Sequence, residues 1–191
     1  MRTSTSIVVA AAFALGGVVG TLVLLAGQAP APGGAVAPPA HPVWTEVQWP
    51  FPMDQWGKGK AFHCKQADCG TEVNLYVRAK IGFCNCTTGV ADDEELDRIS
   101  DFELLGNGLT AMGSGRPIDV AWMKGRSRPF SIGDSRRAGT SALSVGFNDR
   151  CDAIVATAAI GNKQPATIEP VVIEFLNSKT ILRWAEVTLG L

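Results

Sequence analysis

The chain has 191 residues, a mass of 20.1 kDa and a formal net charge of -1. Charged residues make up 18% of it and hydrophobic residues 46%. This composition excludes an intrinsically disordered chain and a strongly basic nucleic-acid binder. The length allows one domain with accessory segments, but hardly two large cores.

The N-terminal region predicts a membrane anchor. Residues 7–26 contain no charged side chain, and about 20 apolar residues in a helix span the hydrocarbon core of a bilayer. A cleaved secretory signal is the alternative, although its apolar region is usually shorter, about 7–15 residues. We expect residues 1–26 to form a short cytoplasmic tail and a transmembrane helix. Arg2 is the only charge before the segment, which places the N-terminus in the cytoplasm.

Residues 27–43 are predicted to be a linker, because they consist mostly of Pro, Ala and Gly and carry no charge. Such a stretch cannot bury a core and should be semi-extended. Residues 44–191 are then expected to form one domain in the periplasm, held at the bacterial inner membrane by the anchor.

Alternating hydrophobicity predicts strands through the middle of this domain. The clearest covers residues 72–82, in which Val73, Leu75 and Val77 alternate with polar residues, so we expect a strand with one buried face and one solvated face. Shorter patterns predict further strands at residues 59–64, 118–123, 128–132, 143–147 and 152–160. Because the connections are short, we expect an antiparallel sheet of about five to six strands.

Two or three helices are predicted to pack on this sheet. The first is rich in acid near its start, with Thr87 or Thr88 as the N-cap, and Gly106 ends it. A second begins near Glu169, with Pro170 in its first turn. Ser178 caps a last helix, for which a strand is the alternative. The predicted fold class is therefore α+β.

Five cysteines lie in the predicted periplasmic domain, where disulfides are the default. A straight strand over residues 72–82 would separate Cys64 and Cys69 from Cys84 and Cys86 by roughly 30 Å. A bridge requires Cα atoms within about 7 Å. We therefore predict a Cys64–Cys69 bridge and a second bridge from Cys151 to Cys84 or Cys86, with one thiol left over.

The same separation opposes a four-cysteine metal site. A sharper alternative remains, in which Cys84 and Cys86, with His63 as a third candidate, bind copper(I) or exchange thiols. No Cys-x-x-Cys motif and no methionine cluster supports it. We predict no resident metal and no cofactor.

Charge is uneven along the chain. Seven of the eighteen acidic residues lie between residues 92 and 103, and six of the seventeen basic residues lie between residues 116 and 137. One interpretation is two solvated surfaces. The other is a partner surface that contacts an acidic protein or anionic lipid. The candidate residues for this surface are Lys124, Arg126, Arg128, Arg136 and Arg137.

The five tryptophans form two groups. Trp44, Trp49 and Trp56 lie in a proline-containing segment, which we expect to pack as an extended arm over the core; a sugar or peptide platform is the alternative. Trp122 and Trp184 fall on strand and helix patterns and are expected in the core.

Catalytic signals are weak. His63 is the only histidine after the linker and would have to serve as the general base of any hydrolase. An enzyme is therefore not the favoured interpretation. The sequence favours a membrane-anchored, non-catalytic periplasmic protein that binds, or helps to assemble, a protein partner in or near the membrane. A periplasmic copper or thiol-redox carrier using Cys84 and Cys86 is the alternative.

Overall fold

The computed structural model describes residues 41–106, 108–133 and 140–191. The predicted transmembrane helix, most of the linker, and Arg136 and Arg137 lie outside these residues. Within the described ranges, no helix is both long enough and apolar enough to cross a membrane.

The centre of the domain is one antiparallel sheet of eight strands. These are β1 (Trp44–Val47), β2 (Lys60–Cys64), β3 (Val73–Lys80), β4 (Leu109–Ala111), β5 (Arg116–Val120), β6 (Met123–Ile132), β7 (Ser141–Asp149) and β8 (Asp152–Ile160). Seven strands follow the order β1-β2-β3-β8-β7-β6-β4, and β5 also pairs with β6. The prediction of an antiparallel α+β fold is confirmed, but the sheet has more strands than the five to six expected.

Helices cover both faces of the sheet. On the first face, α3 (Pro165–Leu176) and α4 (Lys179–Leu189) pack over the largest hydrophobic cluster. On the second face lie α2 (Asp93–Ile99) and a single 3-10 turn (Phe102–Leu105). A one-turn helix, α1 (Gln66–Cys69), follows β2. The three longer helices fall where the sequence predicts helices.

The side chains of β3 are buried on both faces of the sheet. Val73, Leu75 and Val77 point into the core under α3 and α4. Since side chains alternate along a strand, Arg78 and Lys80 belong to the second face, and they are buried as well. The prediction that this second face of the strand is solvated is therefore wrong, because other segments cover it.

Three local expectations also differ. Asp92, not a threonine, caps α2, where its side chain accepts a hydrogen bond from the Glu95 amide at 2.8 Å. Helix α3 begins at Pro165 and contains Pro170 in its interior. Trp122 is 48% exposed, because it lies in the tight turn between β5 and β6 rather than in a strand. The last helix is confirmed, with Ser178 as its cap.

Candidate functional site

Two pairs of cysteines lie at disulfide distance. Cys64 is bonded to Cys69 with 6.0 Å between Cα atoms, and Cys86 is bonded to Cys151 with 4.3 Å between Cα atoms. Cys84 is the free thiol of the described residues. The sequence left Cys84 and Cys86 open as partners of Cys151, and the structure selects Cys86.

Cys84 is poorly placed for copper binding or thiol exchange. Its buried thiol donates to the carbonyl oxygen of Arg150 at 3.3 Å. Burial raises the pKa of the thiol to about 11, and Glu95 and Asp152 act in the same direction. Since the thiolate is the form that attacks disulfides and binds soft metals, this side chain is held in its unreactive form.

His63 is not brought to the cysteine pair. It lies opposite Asn74 at the start of β3, whereas Cys84 follows the end of that strand. Its ring nitrogen Nε2 bonds to the carboxylate of Glu72. Across the described ranges, no group of three or more His, Cys, Asp or Glu residues is placed to hold a metal ion.

The predicted basic surface is divided by the fold. Arg126 donates from Nε to Asp93 at 2.5 Å, and Arg128 lies 2.5 Å from Asp97. Both arginine side chains are only 17% exposed. The acidic helix and the basic strand therefore neutralise each other, instead of forming two separate solvated surfaces. Lys124 stays at the surface, where it pairs with Asp119.

A buried charge network occupies the second face of β3. Arg78 is 1% exposed and donates twice to Asp101, from Nε at 2.9 Å and from an Nη at 2.5 Å. Lys80 lies 2.7 Å from the same carboxylate. The other Nη of Arg78 donates to Asp54 at 2.5 Å. Both buried cations therefore pair with Asp101, and Arg78 also pairs with Asp54 and Glu103, whose carboxylates reach the surface.

The segment over this network is the aromatic strap, residues 48–58. Trp49 packs edge-on against Tyr76, and Trp56 lies under the ammonium of Lys80, with 5.3 Å from Nζ to the ring centroid. The strap approaches the sheet so closely that a Cβ on Gly59 would lie 2.8 Å from Cζ3 of Trp49. The prediction that Trp49 and Trp56 form an arm packed over the core agrees with this geometry. Trp44 belongs to the first face, where it stacks on Phe175.

A cleft of about 450 Å³ opens beside the strap. Phe51 of the strap, Leu104 of the 3-10 turn and Ile132 of β6 supply apolar lining. Asn74 and Tyr76 of β3 also line it. Its size is typical of ligand sites, as is its combination of apolar walls with a few polar groups.

Local sequence patterns do not locate this cleft. Its residues come from the strap, β3, the 3-10 turn, β6 and β8, which are separated along the chain. Asn74, Tyr76 and Arg78 occupied the face of the strand that alternation alone assigns to solvent. The proline and aromatic content of the strap was the single signal that this face is covered.

No protein-family model, curated protein or solved structure matches the chain. The candidate site therefore stands on its own geometry.

Proposed function

We propose that this protein is a non-catalytic binding or assembly factor for a protein in or near the membrane. The cleft beside the aromatic strap receives an apolar segment of that partner. The N-terminal segment anchors the chain in a bacterial inner membrane and holds the domain in the periplasm.

The cleft carries this proposal because its walls are fixed by strong contacts. Phe51 packs edge-on against Tyr76, with ring centroids 4.8 Å apart. Asp54 ties the same strap to Arg78, and Asp101, which binds Arg78 from the other side, immediately precedes the 3-10 turn. A rigid concave site loses little conformational entropy when a partner binds.

The two disulfides support the proposed periplasmic location. Disulfides persist in oxidising environments such as the periplasm and are rare in the cytosol. The Cys86–Cys151 bridge joins residues 65 apart in the sequence, so it links the segment before α2 to the turn between β7 and β8.

The same bridge argues against the alternative function, a copper or thiol carrier. Its dithiol would require Cys86 to be released from Cys151 by an external reductant. Cys84, the other half of the pair, is buried with a raised pKa.

The test is site-specific photocrosslinking of the full-length protein in its own membrane. A photoreactive residue at Leu104, in the cleft wall, should give a discrete adduct with a protein. The same residue at Ile81, which is exposed in the turn after β3, serves as the control and should not.

A second variant connects the adduct to the cleft. Ala159→Trp adds a large side chain to the cleft lining, so it should abolish the adduct from position 104. Retention of both disulfides in this variant would show that the domain still folds. An adduct that forms equally from positions 104 and 81, or one that Ala159→Trp leaves unchanged, would refute the proposed site.

A further inference from the structure

A second surface lies on the opposite face of the sheet, away from the cleft. The groove between α4 and the β1–β2 edge has a volume of about 390 Å³. Phe62 of β2 forms its floor, and Glu46 of β1 is bonded to Lys60 at its strand side, 2.5 Å apart. No strand lies beyond β1 in the part of the chain that the structure describes.

One side of α4 lines this groove. Trp184, which the sequence predicts in the core, is half-buried there and also packs against the main hydrophobic cluster. Its buried side is formed by Ile181 and Ala185. Thr180, Trp184 and Val187 follow at helical spacing on the groove side and are here called the outer stripe. Val187 is 75% exposed, which is unusual for an aliphatic side chain beside an apolar groove.

The outer stripe is complementary to the outer stripe of a second, antiparallel copy of α4. In two antiparallel helices related by a two-fold axis, the numbers of any two residues that face each other add up to the same value. If the axis passes between residues 185 and 186, Trp184 of one copy meets Val187 of the other, and the same contact occurs a second time. An indole and an isopropyl group thus pack in both halves of the interface.

The charges beside the stripe follow the same symmetry. Arg183 and Glu186 are exposed and have no ionic partner among the described residues. Under this two-fold axis, Arg183 of each copy comes within one helical turn of Glu186 of the other. Two equivalent ion pairs then flank the apolar centre, an arrangement that specifies an antiparallel orientation.

We infer that α4 is a self-association surface, on which the α4 helix of a second copy lies antiparallel in the groove beside the β1–β2 edge. Helix axes in such a pair are roughly 8–10 Å apart. The interface would be of the helix-in-groove kind, with Trp184 and Val187 as its anchors. This inference concerns a different face from the proposed partner cleft and does not depend on it.

Crosslinking of the full-length protein in its native membrane tests the proximity of the two helices. Val187→Cys places a thiol close to the two-fold axis, so a short bismaleimide should join two copies in high yield. Met112→Cys is the matched control, because Met112 is 45% exposed but follows β4 at the opposite edge of the sheet. Equal dimer yields from positions 187 and 112, or no dimer from position 187, would overturn the inference.

Charge exchange tests the orientation. In the Val187→Cys background, Arg183→Glu and Glu186→Arg should each weaken dimerisation about tenfold, because like charges then face each other in both halves of the interface. The combined exchange should restore it. Failure of the combined variant to recover, while it still carries both disulfides, would reject the antiparallel pairing. A groove that instead serves lipid or another protein would give that result.

Discussion

The strongest test of the internal architecture is Asp101→Asn. Asp101 is the buried carboxylate that holds both Arg78 and Lys80. The substitution keeps the shape of the side chain but removes its charge. Arg78 would retain Asp54 and the more distant Glu103, whereas Lys80 would lose the carboxylate that lies 2.7 Å from its Nζ.

The expected loss is about 3–5 kcal/mol of unfolding free energy, the usual cost of leaving a buried charge without its partner. Lys80→Met should cost no more than about 1 kcal/mol, because Asp101 keeps its two hydrogen bonds from Arg78 and an apolar side chain replaces a buried cation. The double variant should be more stable than Asp101→Asn alone, since one unpaired cation has been removed.

Urea denaturation of the full-length protein provides the measurement, with tryptophan fluorescence as the signal. Trp49 and Trp56 lie over the network and should report its opening. If Asp101→Asn costs less than about 1 kcal/mol, or if Lys80→Met costs as much as Asp101→Asn, the network does not act as a buried charge cluster.

The cysteines supply the remaining predictions. Replacing both Cys86 and Cys151 with Ala should lower stability by roughly 4 kcal/mol, against roughly 2 kcal/mol for Cys64 and Cys69, because the longer loop restricts the unfolded chain more; urea midpoints that rank in the opposite order would contradict this. Cys84 should resist alkylation in the folded protein at neutral pH and react after unfolding. Because burial raises the pKa of its thiol, the free energy of unfolding should fall as pH rises from roughly 8.5 towards 11, and Cys84→Ala should remove that part of the pH profile.

The fold was predictable where a pattern is local. The alternation of Val73, Leu75 and Val77 located β3, and short connections predicted antiparallel pairing. The distance across that same strand predicted which cysteines could meet. The extra strands escaped detection because β1 and β4 have only four and three residues, too few for a period to emerge.

The second layer could not be predicted from single segments. Arg78 and Lys80 are indistinguishable in sequence from residues on a solvated face, and only the return of the strap over them makes them core residues. Likewise, the acidic helix and the basic strand each suggested a surface patch. Their mutual neutralisation depends on α2 crossing β6, a long-range contact that no spacing encodes.

The aromatic strap contacts three alternate side chains of β3. Trp49 packs on Tyr76, Asp54 accepts a hydrogen bond from Arg78, and Trp56 lies under Lys80. A shift of β3 by a single residue against its neighbours would turn both cations towards the aliphatic layer beneath α3 and α4 and would push valines under the indoles. The register of β3 is therefore stabilised by contacts on both faces of the sheet. A chain that pairs it wrongly gains neither set of contacts, so misaligned intermediates have little to stabilise them.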